Sequence, residues 1–225
     1  RAAPWRGLFA SAPGLLRDGK RLPRPEPPAG GDRYTLPTPL HVPRYYGVPI
    51  DRPSSHVVFC LDVSQSMYGR GIEQARDELE RTLLEFPSTY RFDVIAFNER
   101  LHPFAGELVP AHPVMKQRVL AWLDRLETIS YTNLYDAVEM AFGYAGLGPR
   151  PADRPTRLDA IFLLSDGAPN RGRYLREARV VRGIAELSRR RIPVHCVAAG
   201  EEVFPLLEAN AAATGGRFVD AFEWD

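Results

Sequence analysis

The sequence predicts an α/β fold: a Rossmann-like, doubly wound, mostly parallel sheet with helices on both faces, preceded by a proline-rich extension. Three observations predict it. From residue 56 onward, apolar runs of strand length alternate with stretches of helical periodicity. The strand runs are continuously apolar, which suits strands covered on both faces. The prolines crowd into the first 53 residues, which hold 11 of the chain's 21.

Residues 1–33 read as a linker or wrapping arm, because Pro23, Pro25, Pro27, Pro28, Gly30 and Gly31 oppose helix and favour extended backbone. Residues 34–53 are too apolar for a free linker, with Leu36, Leu40, Val42, Tyr45, Tyr46, Val48 and Ile50. They are expected to lie along the domain, with a short edge strand over 45–50, since Pro43, Pro49 and Pro53 argue against a central one. Residues 56–61 (HVVFCL) form a buried strand closing on Asp62. Ile72, Ala75, Leu79, Leu83 and Phe86 then recur at helical spacing. Residues 91–97 (RFDVIAF) are the second strand, and 101–108 a short third one, antiparallel by hairpin distance. Met115, Val119, Trp122, Leu123 and Leu126 mark a helix, as do Leu134, Ala137, Val138, Ala141 and Ala145. Residues 158–164 (LDAIFLL) form the fourth strand, followed by a helix through Leu175, Ala178, Val181, Ala185 and Ser188. A strand over 192–198, a helix over 203–214 and a short strand from 216 complete the alternation, which implies right-handed crossovers.

Composition bounds the rest. The 225 residues are 44% apolar and 25% charged, close to the globular average. The net charge of +1 gives no bulk reason to bind nucleic acid. No apolar run approaches the roughly 18–20 residues of a membrane helix, so no membrane insertion is expected. The charge is uneven: basic residues outnumber acidic ones nine to four over 1–53, and acidic residues dominate after it. The expected division is therefore a basic, proline-rich arm over 1–54 and a compact domain over 55–225. The chain begins with Arg1, which reads as a processed chain or a piece of a larger protein.

Ligands of open α/β sheets bind at the carboxyl ends of the strands, and the unusual polar residues sit there. Asp62, Ser64 and Ser66 follow the first strand, Asp166 follows the fourth, and Thr132 precedes a helix. Two carboxylates and three hydroxyls are hard oxygen donors, suited to Mg²⁺, with Mn²⁺ or Ca²⁺ as alternatives, rather than to zinc with its preference for His and Cys. Taken singly, the serines read as loop or cap hydroxyls, Thr132 as a helix N-cap and Asp166-Gly167 as a turn. Asp62 resists such a reading, because a carboxylate closing a buried strand needs partners.

The order and spacing Asp62-x-Ser64-x-Ser66, Thr132, Asp166, within the phrases FCLDVSQSM, YTNLYDA and FLLSDGAPN, resembles the metal-ion-dependent adhesion site (MIDAS) of von Willebrand factor type A (VWA) domains over roughly residues 55–221. The resemblance implies strand order 3-2-1-4-5-6, with a metal at the upper edge. It implies that Ser64, Ser66 and Thr132 ligate the ion directly, and that Asp62 and Asp166 act mainly through water. It also implies a coordination position left for an Asp or Glu of a protein partner. Arg70, Arg171 and Arg173 fall in the loops expected around the rim and are expected to steer acidic partners. The phrases look more bacterial than like animal integrins or matrix proteins. In the implied strand order Cys60 and Cys196 lie two strands apart, about 10 Å, too far for a disulfide; they are expected to be unpaired.

Enzyme readings are weaker. Val63-Ser64-Gln65-Ser66-Met67 lacks the glycines of a nucleophile elbow. No Walker A or Gly-x-Gly-x-x-Gly sequence supports nucleotide binding. A Mg²⁺-dependent phosphoryl-transfer fold of the haloacid dehalogenase type wants a second Asp where Ser64 stands. The expectation is a non-catalytic, metal-dependent protein-binding module: an adhesion or scaffold domain of the cell envelope or a secreted protein, or an intracellular adaptor for an AAA+ ATPase.

Overall fold

In a computed structural model the residues described are 42–50, 55–149, 151–153, 155–200 and 204–221. They all fall in one compact unit, His41–Asp225. The expected linker over 1–33 lies outside them.

Six strands form the main path of the sheet in the order β5-β4-β3-β7-β8-β9. They are β3 (His56–Asp62), β4 (Arg91–Phe97), β5 (Leu101–Pro103), β7 (Ala160–Ser165), β8 (Val194–Ala198) and β9 (Phe218–Asp220). Renumbered along the alternation, that order is the expected 3-2-1-4-5-6. All pairs on the path are parallel except β4 with β5. The strand expected over 101–108 is shorter, covering only β5, and a further strand, β6 (Val109–Pro110), follows it and pairs antiparallel with the start of β4.

Alternation along the buried strands splits the core in two. Val58, Cys60, Ile95, Phe97, Ile161, Leu163 and Cys196 face α3 (Leu134–Tyr144), α4 (Glu177–Leu187) and α5 (Phe204–Thr214). Val57, Phe59, Leu61, Phe92, Val94, Phe162 and Leu164 face α1 (Arg70–Glu85) and α2 (Pro113–Leu123). Both faces are covered, so the strands carry no polar alternation. Cys60 and Cys196 are each in register with Leu163 of the strand between them, and both are free and buried. No helix among the described residues is long and apolar enough to cross a membrane.

The segment before β3 departs from the expected edge strand. β1 (Arg44–Tyr45) and β2 (Val48–Pro49) form a separate two-stranded hairpin. Tyr46 and Gly47 between them have φ of 44° and 69°, the positive pair that a tight two-residue turn matching the strand twist requires. The chain therefore doubles back before it can run along the sheet. Tyr45, Tyr46, Val48 and Ile50 are all buried in the core on the α1 side.

The hairpin is pinned by a buried carboxylate. Tyr46 N–H donates to Glu78 Oε1 at 2.7 Å, and Arg81 Nε donates to Glu78 Oε2 at 2.9 Å. Glu78→Ala is expected to cost about 1–3 kcal/mol, the penalty for a buried donor left without a partner. Thermal denaturation measures the loss. Limited proteolysis should then cut first near Tyr46-Gly47; unchanged protection there would show that apolar packing alone holds the hairpin.

Candidate functional site

Asp62 ends β3 and is 1% exposed. Both of its oxygens are engaged: Ser64 N–H donates to Oδ1 at 2.9 Å, and Ser165 Oγ–H donates to Oδ2 at 2.5 Å. The first bond is an Asx turn, which bends the chain as it leaves the strand. A 3-10 turn over Gln65–Met67 follows and leaves Ser64 Oγ 3.1 Å from Ser66 Oγ. Ser66 Oγ–H donates to Asp166 Oδ1 at 2.7 Å, joining residues 100 apart in sequence.

Thr132 reaches the same place from a third loop. A Cβ built on Gly167 would stand 3.8 Å from Ser66 Oγ and 3.9 Å from Thr132 Oγ1, so the two hydroxyls flank one glycine. Thr132 is not the cap of α3; Asn133 holds that position and makes no side-chain cap bond. The Thr132 backbone is fixed on both sides instead. Its N–H donates to Asn170 Oδ1 at 2.8 Å, and its carbonyl accepts the N–H groups of Asn170 and Arg171. Asn133 N–H donates to the Asn98 carbonyl at 2.9 Å. The structure thus gathers Asp62, Ser64, Ser66 and Asp166 into one hydrogen-bonded chain, with Thr132 across Gly167.

Burial decides the electrostatics. It pushes the Asp62 carboxyl up to about 6, against the hydrogen bonds from Ser165 and Ser64 and with a small contribution from the neighbouring Asp166. Burial raises Asp166 as well, opposed by the Ser66 bond. Among the described residues no salt bridge reaches either carboxylate. No three His, Cys, Asp or Glu side chains among the described residues gather to hold a metal. A cation here would therefore depend on hydroxyl oxygens together with the two carboxylates. That donor set fits a hard divalent cation, whose charge would supply the counter-ion that both carboxylates lack.

The three rim arginines differ. Arg171 is exposed and its guanidinium carbon lies 5.7 Å from the centre of the Tyr131 ring. Arg173 Nη1 donates to the buried Glu139 Oε1 at 2.9 Å, so its charge is already balanced. Arg70 lines a groove shared with Glu73, Asp77 and Glu78.

Several positioning residues escaped the sequence reading. Ser165 is one of them: nothing local in the sequence marks that its hydroxyl locks Asp62 from 103 residues away. Asn98 and Asn170 hold the Thr132 loop from two other strands' ends; the Asn that closes SDGAPN was the one local cue. Gly200 lets the loop after β8 approach the site, since a Cβ there would stand 2.5 Å from the Asp166 carbonyl oxygen.

Residues 55–220 match the family model of the von Willebrand factor type A domain. The inter-alpha-trypsin inhibitor heavy chain H1 of Sus scrofa is 25% identical over 175 residues, 76% of this chain and 19% of that protein. The chain thus spans about a fifth of that curated relative's length. Among solved structures, a von Willebrand factor type A protein from Catenulispora acidiphila superposes with a TM-score of 0.58 at 19% identity, covering 73% of this chain and 38% of that one. Proximal thread matrix protein 1 from the mussel byssus, solved with a zinc-occupied MIDAS motif, superposes with a TM-score of 0.54 at 14% identity, covering 75% of this chain and 44% of that one.

Proposed function

Because the chain belongs to the von Willebrand factor type A family over residues 55–220, we propose that it is a non-catalytic protein-binding module whose divalent cation recognises an acidic side chain of a protein partner. The observation that carries this reading is the convergence of Asp62, Ser64, Ser66, Thr132 and Asp166 from three loops onto one point at the sheet's carboxyl edge.

In this reading Ser64, Ser66 and Thr132 hold the ion directly, and Asp62 and Asp166 hold its waters and balance its charge. A bound ion supplies Lewis acidity toward an incoming carboxylate. The protein's own part is to keep the donors in place: Ser165 clamps Asp62, and Asn170 clamps Thr132. Mg²⁺ is the ion that the oxygen donors suit best, with Mn²⁺ or Ca²⁺ as alternatives, and the zinc of the byssus protein adds Zn²⁺ to the test. The family domain is taken as 55–225 and 1–54 as an arm partly packed on it, the hairpin over 42–50 being the packed part; the whole is part of a larger protein. Arg171 is the rim charge left to steer an acidic partner.

A phosphoryl-transfer role is disfavoured by the state of Asp62, the residue that would act as nucleophile. It is buried and both of its oxygens are already bonded.

Saturation with the correct ion at 100 times its dissociation constant is expected to add about 2.7 kcal/mol of stability. Thermal melts with chelator and with Mg²⁺, Mn²⁺, Ca²⁺ or Zn²⁺ read this as a rise in melting temperature. Ser64→Ala combined with Ser66→Ala should keep the fold and lose the rise. A wild-type melt that ignores all four ions, or a rise that survives in the double variant, would overturn the metal reading. Phosphatase turnover would overturn the non-catalytic one.

A further inference from the structure

Six large apolar side chains stand exposed among the described residues: Tyr68, Leu84, Val114, Ile129, Tyr131 and Leu175. Isolated cases are ordinary. Three of these are not isolated. Tyr68, 77% exposed, follows Ser66 by two residues; Tyr131, 48% exposed, immediately precedes Thr132; Ile129, 37% exposed, pairs its backbone with Ser64 in a parallel bridge. All three stand on loops that carry the hydroxyl donors.

Tyr131 is held there against its own preference. Its φ of 95° is a region that bulky side chains avoid, and such residues cluster at ligand clamps. The neighbours enforce it. Ser130 Oγ–H donates to Gln65 Oε1 at 2.7 Å, and Thr132 is clamped by Asn170. Arg171 lies over the ring from the adjoining loop. Of the three rim arginines only Arg171 stands beside the rings: Arg173 is matched by Glu139, and Arg70 lines a separate groove with Glu73, Asp77, Glu78 and Arg81. One guanidinium beside exposed rings complements one carboxylate in an apolar setting, not a run of acidic residues. Tyrosine rings give contact area at low entropic cost, and apolar neighbours exclude water from a buried polar contact.

We infer that Tyr68, Ile129 and Tyr131 are the specificity surface of the site, and that the partner is a protein loop whose Asp or Glu is flanked within two residues by an aromatic or aliphatic side chain. This rests on the metal-dependent reading above and adds the chemistry of the flanks.

The probe is a phage-displayed library of short disulfide-cyclised peptides with a fixed central Asp and random flanks. It is selected on the domain in Mg²⁺ and released with chelator. Wild type is expected to enrich aromatic or aliphatic residues beside the Asp. The variant Tyr68→Ser, Ile129→Ser, Tyr131→Ser should keep its Mg²⁺-dependent rise in melting temperature. It should bind the selected peptides about tenfold more weakly, the loss typical of truncating an interface aromatic, and it should show no flank preference. Tyr68→Ser alone, which leaves the strained residue untouched, should weaken binding in the same direction. Chelator-released binders without apolar flanks, or equal binding by the triple variant, would overturn this inference and leave the metal reading standing. Apolar-flanked binders retained by the variant Ser64→Ala, Ser66→Ala would overturn the metal reading and keep the surface. No chelator-released binder to wild type would overturn both.

Discussion

Phe162→Ala is expected to lower the unfolding free energy by about 3–5 kcal/mol, the cost of deleting a buried aromatic side chain and leaving its cavity. Out of the roughly 5–15 kcal/mol of a typical domain, this is a large share for one site. Strand register sets Val94, Phe59, Phe162 and His195 side by side across four strands. The Phe162 ring lies 5.4 Å from Phe59, 4.9 Å from His195 and 5.5 Å from Tyr45 of the hairpin. The cavity would open beneath Tyr45, so the hairpin should loosen ahead of the sheet. Denaturant titration measures the global loss, and hydrogen exchange of the Tyr46 amide measures the local one. A loss below about 1.5 kcal/mol, the scale of a volume-conserving core swap, would show that the row is not the packing centre on that face.

The second large effect is acid lability from His195, at the end of the same row. Its ring stacks on Phe162, and its Nδ1 accepts the Arg217 N–H at 3.0 Å. Burial, with a smaller contribution from the Arg217 charge, holds the imidazole down to about 4 from its ordinary 6.5. The sign follows from which state takes the proton. Above 6.5 the ring is neutral folded or unfolded, and its contribution to stability is complete. As pH falls from 6.5 toward 4, the unfolded chain takes a proton that the folded chain refuses. The folded state then loses on the order of 3 kcal/mol.

Two carboxyls run the other way in the same window. Asp62 and Asp93 are held up to about 6 by burial, so their contribution is complete below the ordinary 3.8 and is lost as pH rises through 6. Asp93 does this despite accepting the N–H groups of Val94, Ala105 and Gly106 and the Tyr144 hydroxyl. The wild-type profile therefore understates each trend, and the contrast with a variant isolates one. His195→Gln, compared with wild type by urea titration from pH 7 to 4 in chelator, should gain on it by that amount as pH falls. A gap that stays constant across the range would show that the folded protein protonates His195 in place.

The legibility of the sequence varied with the range of the interaction. Residues 56–61, 91–97 and 158–164 were readable as strands because a strand buried on both faces is apolar at every position. The helix over α1 was readable because its apolar residues repeat on one face. The stretch 45–50 misled for a local reason: its apolar residues look like an edge strand, and only the left-handed backbone at Tyr46 and Gly47 folds it into a hairpin. The stretch 101–108 misled because strand pairing with β4 ends at Pro103, the Phe104 N–H making one last bond to the Val94 carbonyl, and resumes only at Val109.

By itself the sequence determined the alternation of strands and helices and the loops that carry Asp62, Ser64, Ser66, Thr132 and Asp166, while the strand order came only through the family resemblance. The alternation and the loops are properties of neighbours along the chain, encoded in period and spacing. Tertiary structure alone decided which partners those side chains meet. Ser165 locks Asp62 from 103 residues away, Asn170 fixes Thr132 from 38, and Glu139 balances Arg173 from 34. Such pairings depend on register between strands and on loop paths over the sheet edge. No periodicity records them, because the free energy that selects them belongs to contacts that exist only once the sheet has closed.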